Sequence, residues 1–251
     1  MLVLDPQFFL VAGLAVLFAG ISKGGFGSGA AFAASGLLAL VIDPGLALGL
    51  MLPLLMMMDF STLRPYWRKW DAQAARLMIV GALPGVALGA AFYSVASPDV
   101  LRVLIGAIAL LFVAWRMAMA RGLVPIARER LPDWMGYAAG TAAGFTSYVS
   151  HAGGPPAAVY LLSRKMGKTK YQATTVLIFW AINLTKFLPY AWLGLFDRQT
   201  MIADLLLAPF AFAGVWIGVK AHHRISDRSF FGLTYVLLAV TGAKLIWDGL
   251  T

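Results

Sequence analysis

Of the 251 residues, 61% are apolar and only 12% carry a charge, against roughly a quarter in a soluble domain, which excludes a water-soluble fold. No cysteine is present, so disulfide frameworks and thiolate chemistry are excluded as well. A net charge of +9 would suggest nucleic acid in a soluble chain, but here the bases sit in short loops between apolar runs, where they set membrane orientation.

The chain opens on Asp5-Pro6, without the basic segment of a cleavable signal. Apolar runs follow at 8–20, 30–42, 47–58, 77–95 and 103–114, and again at 178–184, 201–219 and 230–246. Several approach the roughly 20 residues that cross a hydrocarbon core. The fold class expected is an all-α integral membrane protein.

Four landmarks recur in the same order. A glycine-rich break interrupts the apolar pattern at SKGGFGSG (22–29) and again at SHAGGPP (150–156). A long helix follows each, with a polar residue six positions before Pro-Tyr: Asp59 before Pro65-Tyr66, and Asn183 before Pro189-Tyr190. Then come Gly85 and Gly89, matched by Gly214 and Gly218, and a last apolar helix with Trp115 or Trp247 near its end. The order predicts a repeat over 1–120, a basic linker over 121–133 and a second repeat over 134–251. Each is a broken or re-entrant hairpin followed by three transmembrane helices.

Charge predicts how the repeats are oriented. Four loops hold most of the bases: Arg64, Arg68, Lys69 and Arg76; Arg116, Arg121, Arg128 and Arg130; Arg164, Lys165, Lys168 and Lys170; Lys220, Arg224 and Arg228. The positive-inside rule makes all four cytoplasmic. Asp5, Asp43, Asp99, Asp197, Asp204 and Asp248 then mark the opposite ends, and both termini lie outside. Loop 64–76 is inside while its counterpart near 190–199 is outside, so the halves are inverted. In such a plan the site sits near the midplane, where broken helices meet.

The residues at the breaks suit an anion. Helices restarting near 25–31 and 154–158 present free N–H groups and a partial positive charge. Gly24, Gly25, Gly27, Gly153 and Gly154 let a ligand approach the main chain. Lys23 adds a charge at one break and His151 a titratable ring at the other, while Ser22, Ser28, Ser147 and Ser150 offer hydroxyl donors. Asn183 and Lys186, on the second long helix, complete the candidate substrate-binding set.

Each of these has a blander reading. The glycines serve close packing, Lys23 snorkels to the interface, and His151 bonds a backbone carbonyl. Asp59, read as the acid well inside an apolar run, either relays a proton or pairs with Lys23 or Arg64. Lys186 either snorkels or meets the anion, and Asn183 orients a neighbour or binds ligand. The methionine cluster at 51–58 and the aromatic segment 179–196 are lipid-facing or core.

The stretches GISKGGFGSG (20–29), GFTSYVSHAGGPP (144–156) and KTKYQATTVLIFWAINLTKFLPY (168–190) resemble the sulfite exporter TauE/SafE family of bacterial membrane proteins over nearly the whole chain. Many members carry a longer unbroken glycine run at the first break; here Lys23 and Phe26 interrupt it. The resemblance implies export of sulfite or a related sulfur oxyanion across the inner membrane, with the site at 23–28 and 150–154. Uptake or export of an organosulfonate or organic acid is the alternative. An intramembrane enzyme using His151 is a distant one, because no HExxH, GxSxG or paired acidic motif is present. A structural or assembly subunit is a further rival. The expected partners are a small anion and the bilayer, with no nucleic acid, no cofactor and no metal.

Overall fold

The computed structural model describes residues 5–26, 31–123, 130–222 and 227–251. Among these, the elements are ten α-helices and one π-helical turn, with no strand. The first half holds α1 (Pro6–Ile21), which runs on into the π turn (Ser22–Phe26), then α2 (Phe32–Ala39), α3 (Pro44–Leu63), α4 (Ala72–Tyr93) and α5 (Pro98–Ala120). The second holds α6 (Asp133–Ser150), α7 (Gly154–Ser163), α8 (Lys168–Trp192), α9 (Arg198–Ala221) and α10 (Asp227–Leu250). Each half is therefore a broken hairpin followed by three long helices.

Local sequence sets the helix starts. Asp5, Asp43 and Asp197 are N-caps of α1, α3 and α9, accepting backbone N–H groups at 2.7, 2.8 and 2.6 Å. Pro6, Pro44 and Pro98 stand in first turns, where their missing N–H costs nothing. These acids thus have a structural duty besides marking one face of the protein.

Six stretches are long and apolar enough to cross a membrane: Pro6–Phe26, Pro44–Leu63, Ala72–Tyr93, Pro98–Ala120, Arg198–Ala221 and Phe230–Leu250. The returning arms α2 and α7, at 8 and 10 residues, fall well short of the roughly 20 a crossing needs. At 25 residues α8 is long enough but less apolar, because its buried side carries Gln172, Thr175, Asn183 and Lys186. Outward, Leu88, Leu205, Trp216, Leu233 and Val240 are exposed, as side chains against hydrocarbon would be.

Two seams made by small residues hold the helices together. Helix α4 packs on α6, and α1 with its π turn packs on α9. A Cβ on Gly85 would strike the backbone of Thr141 and Phe145, and one on Gly214 the backbone of Leu17 and Gly20. Only glycine permits that approach. Gly81 likewise lies against the backbone of Tyr137, whereas Gly13 faces the Phe210 ring. Between the seams, α3 lies against α8 and α5 against α10.

The basic loops gather on one face. Arg164 pairs with Asp71 and Asp133 at 3.5 Å, Lys170 with Asp71 at 3.5 Å, and Arg130 with Asp133 at 3.5 Å. Gln73 joins them through a 2.6 Å hydrogen bond to Asp133. The Tyr66 and His222 rings meet edge-on at 5.7 Å, which brings in the fourth loop. Arg128 and Arg224 lie outside the described residues.

Candidate functional site

The π turn, α3, α6 and α8 bring polar side chains into the core of the helix bundle. Lys23 stands on the π turn, where one residue beyond the α-helical repeat turns its side chain toward α3. Its Nζ lies 2.5 Å from Asp59 Oδ1 and donates to the Leu55 carbonyl at 3.3 Å. Asn183 Nδ2 donates to the other Asp59 oxygen at 2.6 Å. Lys23 is 2% exposed and Asp59 fully buried, so Lys23 does not snorkel to an interface and Asp59 is its partner. Arg64 plays no part in that pair.

One turn beyond Asn183 on α8, Lys186 is also fully buried. Its Nζ donates to the Ser147 carbonyl at 3.0 Å and to Ser147 Oγ at 3.1 Å, and lies 2.9 Å from His151 Nδ1. His151 Nε2 lies 3.1 Å from the Leu48 carbonyl. A carbonyl can only accept, so Nε2 carries the hydrogen and Nδ1 accepts from Lys186. His151 is held as the neutral tautomer. Lys186 thus has three neutral acceptors and, among the described residues, no carboxylate within ion-pair range. Snorkelling is excluded for Lys186 too.

His151 reaches this place through its backbone. It caps α6 in the left-handed conformation, φ 56°, and the N–H groups of His151 and Ala152 return to the Ser147 and Thr146 carbonyls. This closes the helix as a glycine normally would. Ser150 Oγ donates to the Thr146 carbonyl at 2.8 Å, and Gly153 packs against Phe179 and Ala143. Gly154 begins α7. At the first break, Ser22 is buried, while Gly24 and Gly25 lie against the α9 backbone at Val215 and Gly218. Gly27 and Ser28 lie outside the described residues.

Two tyrosines repeat one contact. Tyr66 donates to the Gly24 carbonyl at 2.7 Å and Tyr190 to the Tyr148 carbonyl at 2.5 Å, each across 42 residues. Asp59 and Asn183, which meet directly, are 124 residues apart, and the same interval separates Tyr66 from Tyr190, Gly24 from Tyr148 and Lys23 from Ser147. Of these equivalent positions, Asp59 and Asn183 meet directly.

Sequence reasoning missed several participants. Gln172 Nε2 donates to the Lys23 carbonyl at 2.6 Å; the signal available was its helical spacing ahead of Asn183 and Lys186. Along α8, Gln172 to Lys186 spans about 21 Å at 1.5 Å per residue, so the buried polar file covers much of a bilayer's depth. His222 is a buried C-cap of α9 with Nδ1 2.5 Å from the Gly25 carbonyl. Asp204, expected at an exposed helix end, is 5% exposed on the second turn of α9. Asp59 is therefore not the one buried acid. A cavity of about 670 Å³ counts Gly25, Gln172 and Gly154 among its lining residues, beside both breaks.

Among known proteins, the chain matches the family model described as sulfite exporter TauE/SafE over residues 12–245. No curated protein and no solved structure matches it.

Proposed function

This chain belongs to the sulfite exporter TauE/SafE family, and on that premise we propose that it exports sulfite, or a closely related sulfur oxyanion, through the polar site between its two breaks. Membership makes it a multi-pass membrane transporter of a small anion. The observation that supports the anion reading most is Lys186, fully buried and bonded only to neutral acceptors. Lys23 takes the one carboxylate, Asp59, and Lys186 has none among the described residues, so with both lysines protonated the site carries a surplus positive charge. An uncompensated buried charge is costly, and an incoming anion removes that cost. Lys23, Lys186, His151, Asn183 and Ser147 are the binding residues of this reading, with Ser22, Ser150 and the break glycines around them. Asp59 sets the charge balance. Catalytic groups and cofactors have no part in it.

The two halves, 1–120 and 134–251, act as inverted repeats that rock against each other to expose the site alternately. The matched seams and the matched tyrosine contacts support this division. The basic face is the cytoplasmic one in the inner membrane, with both termini outside. An inside-negative potential then favours anion exit by about 2.3 kcal/mol per charge per 100 mV, so export proceeds without a coupling ion.

The test is sulfite flux in proteoliposomes carrying the full chain, beside Lys186→Gln and Lys23→Gln variants checked for folding. Saturable sulfite flux that falls at least tenfold in folded Lys186→Gln is expected. Wild-type flux in that variant would remove Lys186 from the site. Flux indifferent to an imposed membrane potential would overturn the uncoupled, electrogenic mechanism.

A further inference from the structure

The cavity beside the breaks has a character of its own. At about 670 Å³ it falls within the roughly 300–1,000 Å³ range of sites for organic molecules. A water molecule occupies about 30 Å³ of liquid volume, so a bare three-oxygen anion would leave most of the space unfilled. Its walls combine Phe26, Phe112, Phe231 and Tyr235 with two cations, Arg116 and Lys168, and no acidic residue lines it among the described residues.

Arg116 is built into that wall. Its Nε donates to the Tyr235 hydroxyl at 2.7 Å, and its guanidinium carbon stands 5.8 to 5.9 Å from the Trp115, Phe231 and Tyr235 rings. Aromatic faces hold a guanidinium in place without neutralising it. Among the described residues no carboxylate pairs with it, so its outer N–H groups are available to a ligand. Lys168 lies over the Phe26 ring at 5.6 Å. At the inner end, Gln172 both lines the cavity and binds the Lys23 carbonyl, so the space adjoins the lysine site.

We infer that this cavity is a second anion-binding site, an antechamber on the basic face anchored by Arg116, which takes organic anions with an aryl or branched-alkyl body in preference to inorganic oxyanions. An apolar box whose described lining carries positive charge and no negative charge selects that chemistry: the aromatic walls cover the organic body, and the guanidinium meets the carboxylate or sulfonate. Its place on the transport path rests on the export reading; the binding itself does not.

The experiment is calorimetric titration of the full chain in nanodiscs, which avoids detergent tails, with benzenesulfonate, benzoate, sulfate and benzyl alcohol. The two aryl anions are expected to bind at least tenfold more tightly than either sulfate or the neutral alcohol. Arg116→Gln is expected to weaken them by about tenfold or more, the worth of a charge-assisted bond. Lys168→Gln gives a second, milder loss should Arg116→Gln fold poorly. Sulfate or benzyl alcohol binding as tightly as benzenesulfonate overturns the assignment, as does unchanged aryl-anion affinity in folded Arg116→Gln. Aryl-anion binding without any sulfite flux would uphold the organic-anion site and sink the export reading; sulfite flux without aryl-anion binding would do the reverse.

Discussion

The two polar breaks occupy matching places in the chain and differ in how charge is balanced. At the first, Lys23 lies 2.5 Å from a carboxylate. At the second, Lys186 meets a serine, a carbonyl and a neutral histidine. The backbone framework is shared: the tyrosine contacts and the helix pairings repeat. The chemistry is not. One side of the Asp59–Asn183 contact holds an ion pair, and the other a lysine with no acid partner among the described residues.

Removing the acid is expected to produce the largest effect. Asp59→Ala leaves Lys23 buried without its counter-charge, and breaking such a pair costs about 3–5 kcal/mol. Thermal unfolding in nanodiscs should show a strongly lowered midpoint or no folded protein; an unchanged midpoint would mean the pair is not what balances Lys23. Next come the seams. Gly144→Val and Gly20→Val each force a side chain into the facing backbone, at Ala82 and at Ala211, and overpacking costs about 1–3 kcal/mol. Similar losses at both sites would show the seams to be energetically equivalent, whereas a loss at one alone would break the equivalence.

Lys186→Met should behave unlike Asp59→Ala. It removes a buried charge along with three neutral contacts, opposing effects that leave stability within about 1 kcal/mol of wild type, while sulfite flux collapses. A large stability loss would make Lys186 a structural residue and remove the contrast between the breaks.

The smallest effect belongs to the basic face. Partial burial pushes Asp71 up, but the Ala74 N–H it accepts and the charges of Arg164 and Lys170 outweigh this and hold its carboxyl below the ordinary value. A carboxyl lowered in the folded state contributes stability above the unfolded carboxylate range, near pH 4. That contribution is lost as pH falls through the folded value. Asp71→Asn should therefore lower the unfolding midpoint slightly at pH 7 and converge with wild type in strong acid. A constant difference at every pH would assign the effect to the lost helix cap instead.

Much of the architecture was legible before folding. The eight apolar runs fall in α1 to α5 and α8 to α10, and the second glycine break marks where α6 ends and α7 begins, because hydrocarbon thickness and backbone satisfaction leave a spanning chain few options. The grouping of the basic loops was legible for the same reason. Lys23, Asp59, His151, Asn183 and Lys186 stood out as polar residues that apolar surroundings make expensive.

Burial and partnership were a different matter. Asp204 was read as marking one end of the helices, and only the packing of α9 against α1, the π turn and α3 encloses it and His222. Gln172 was given no role from sequence, and α8 turns it toward the first break, where it binds the Lys23 carbonyl.

By itself, then, the chain determined that it enters a membrane, where its helices break and which face is basic, since these depend on composition and order along one dimension. Tertiary structure alone decided that Asp59 binds Lys23 rather than Arg64, that Lys186 has no acid partner among the described residues, and that Arg116 faces a cavity. Those outcomes depend on which residues from distant helices come within about 3 Å of one another, and a hydrogen bond or ion pair exists only at that range.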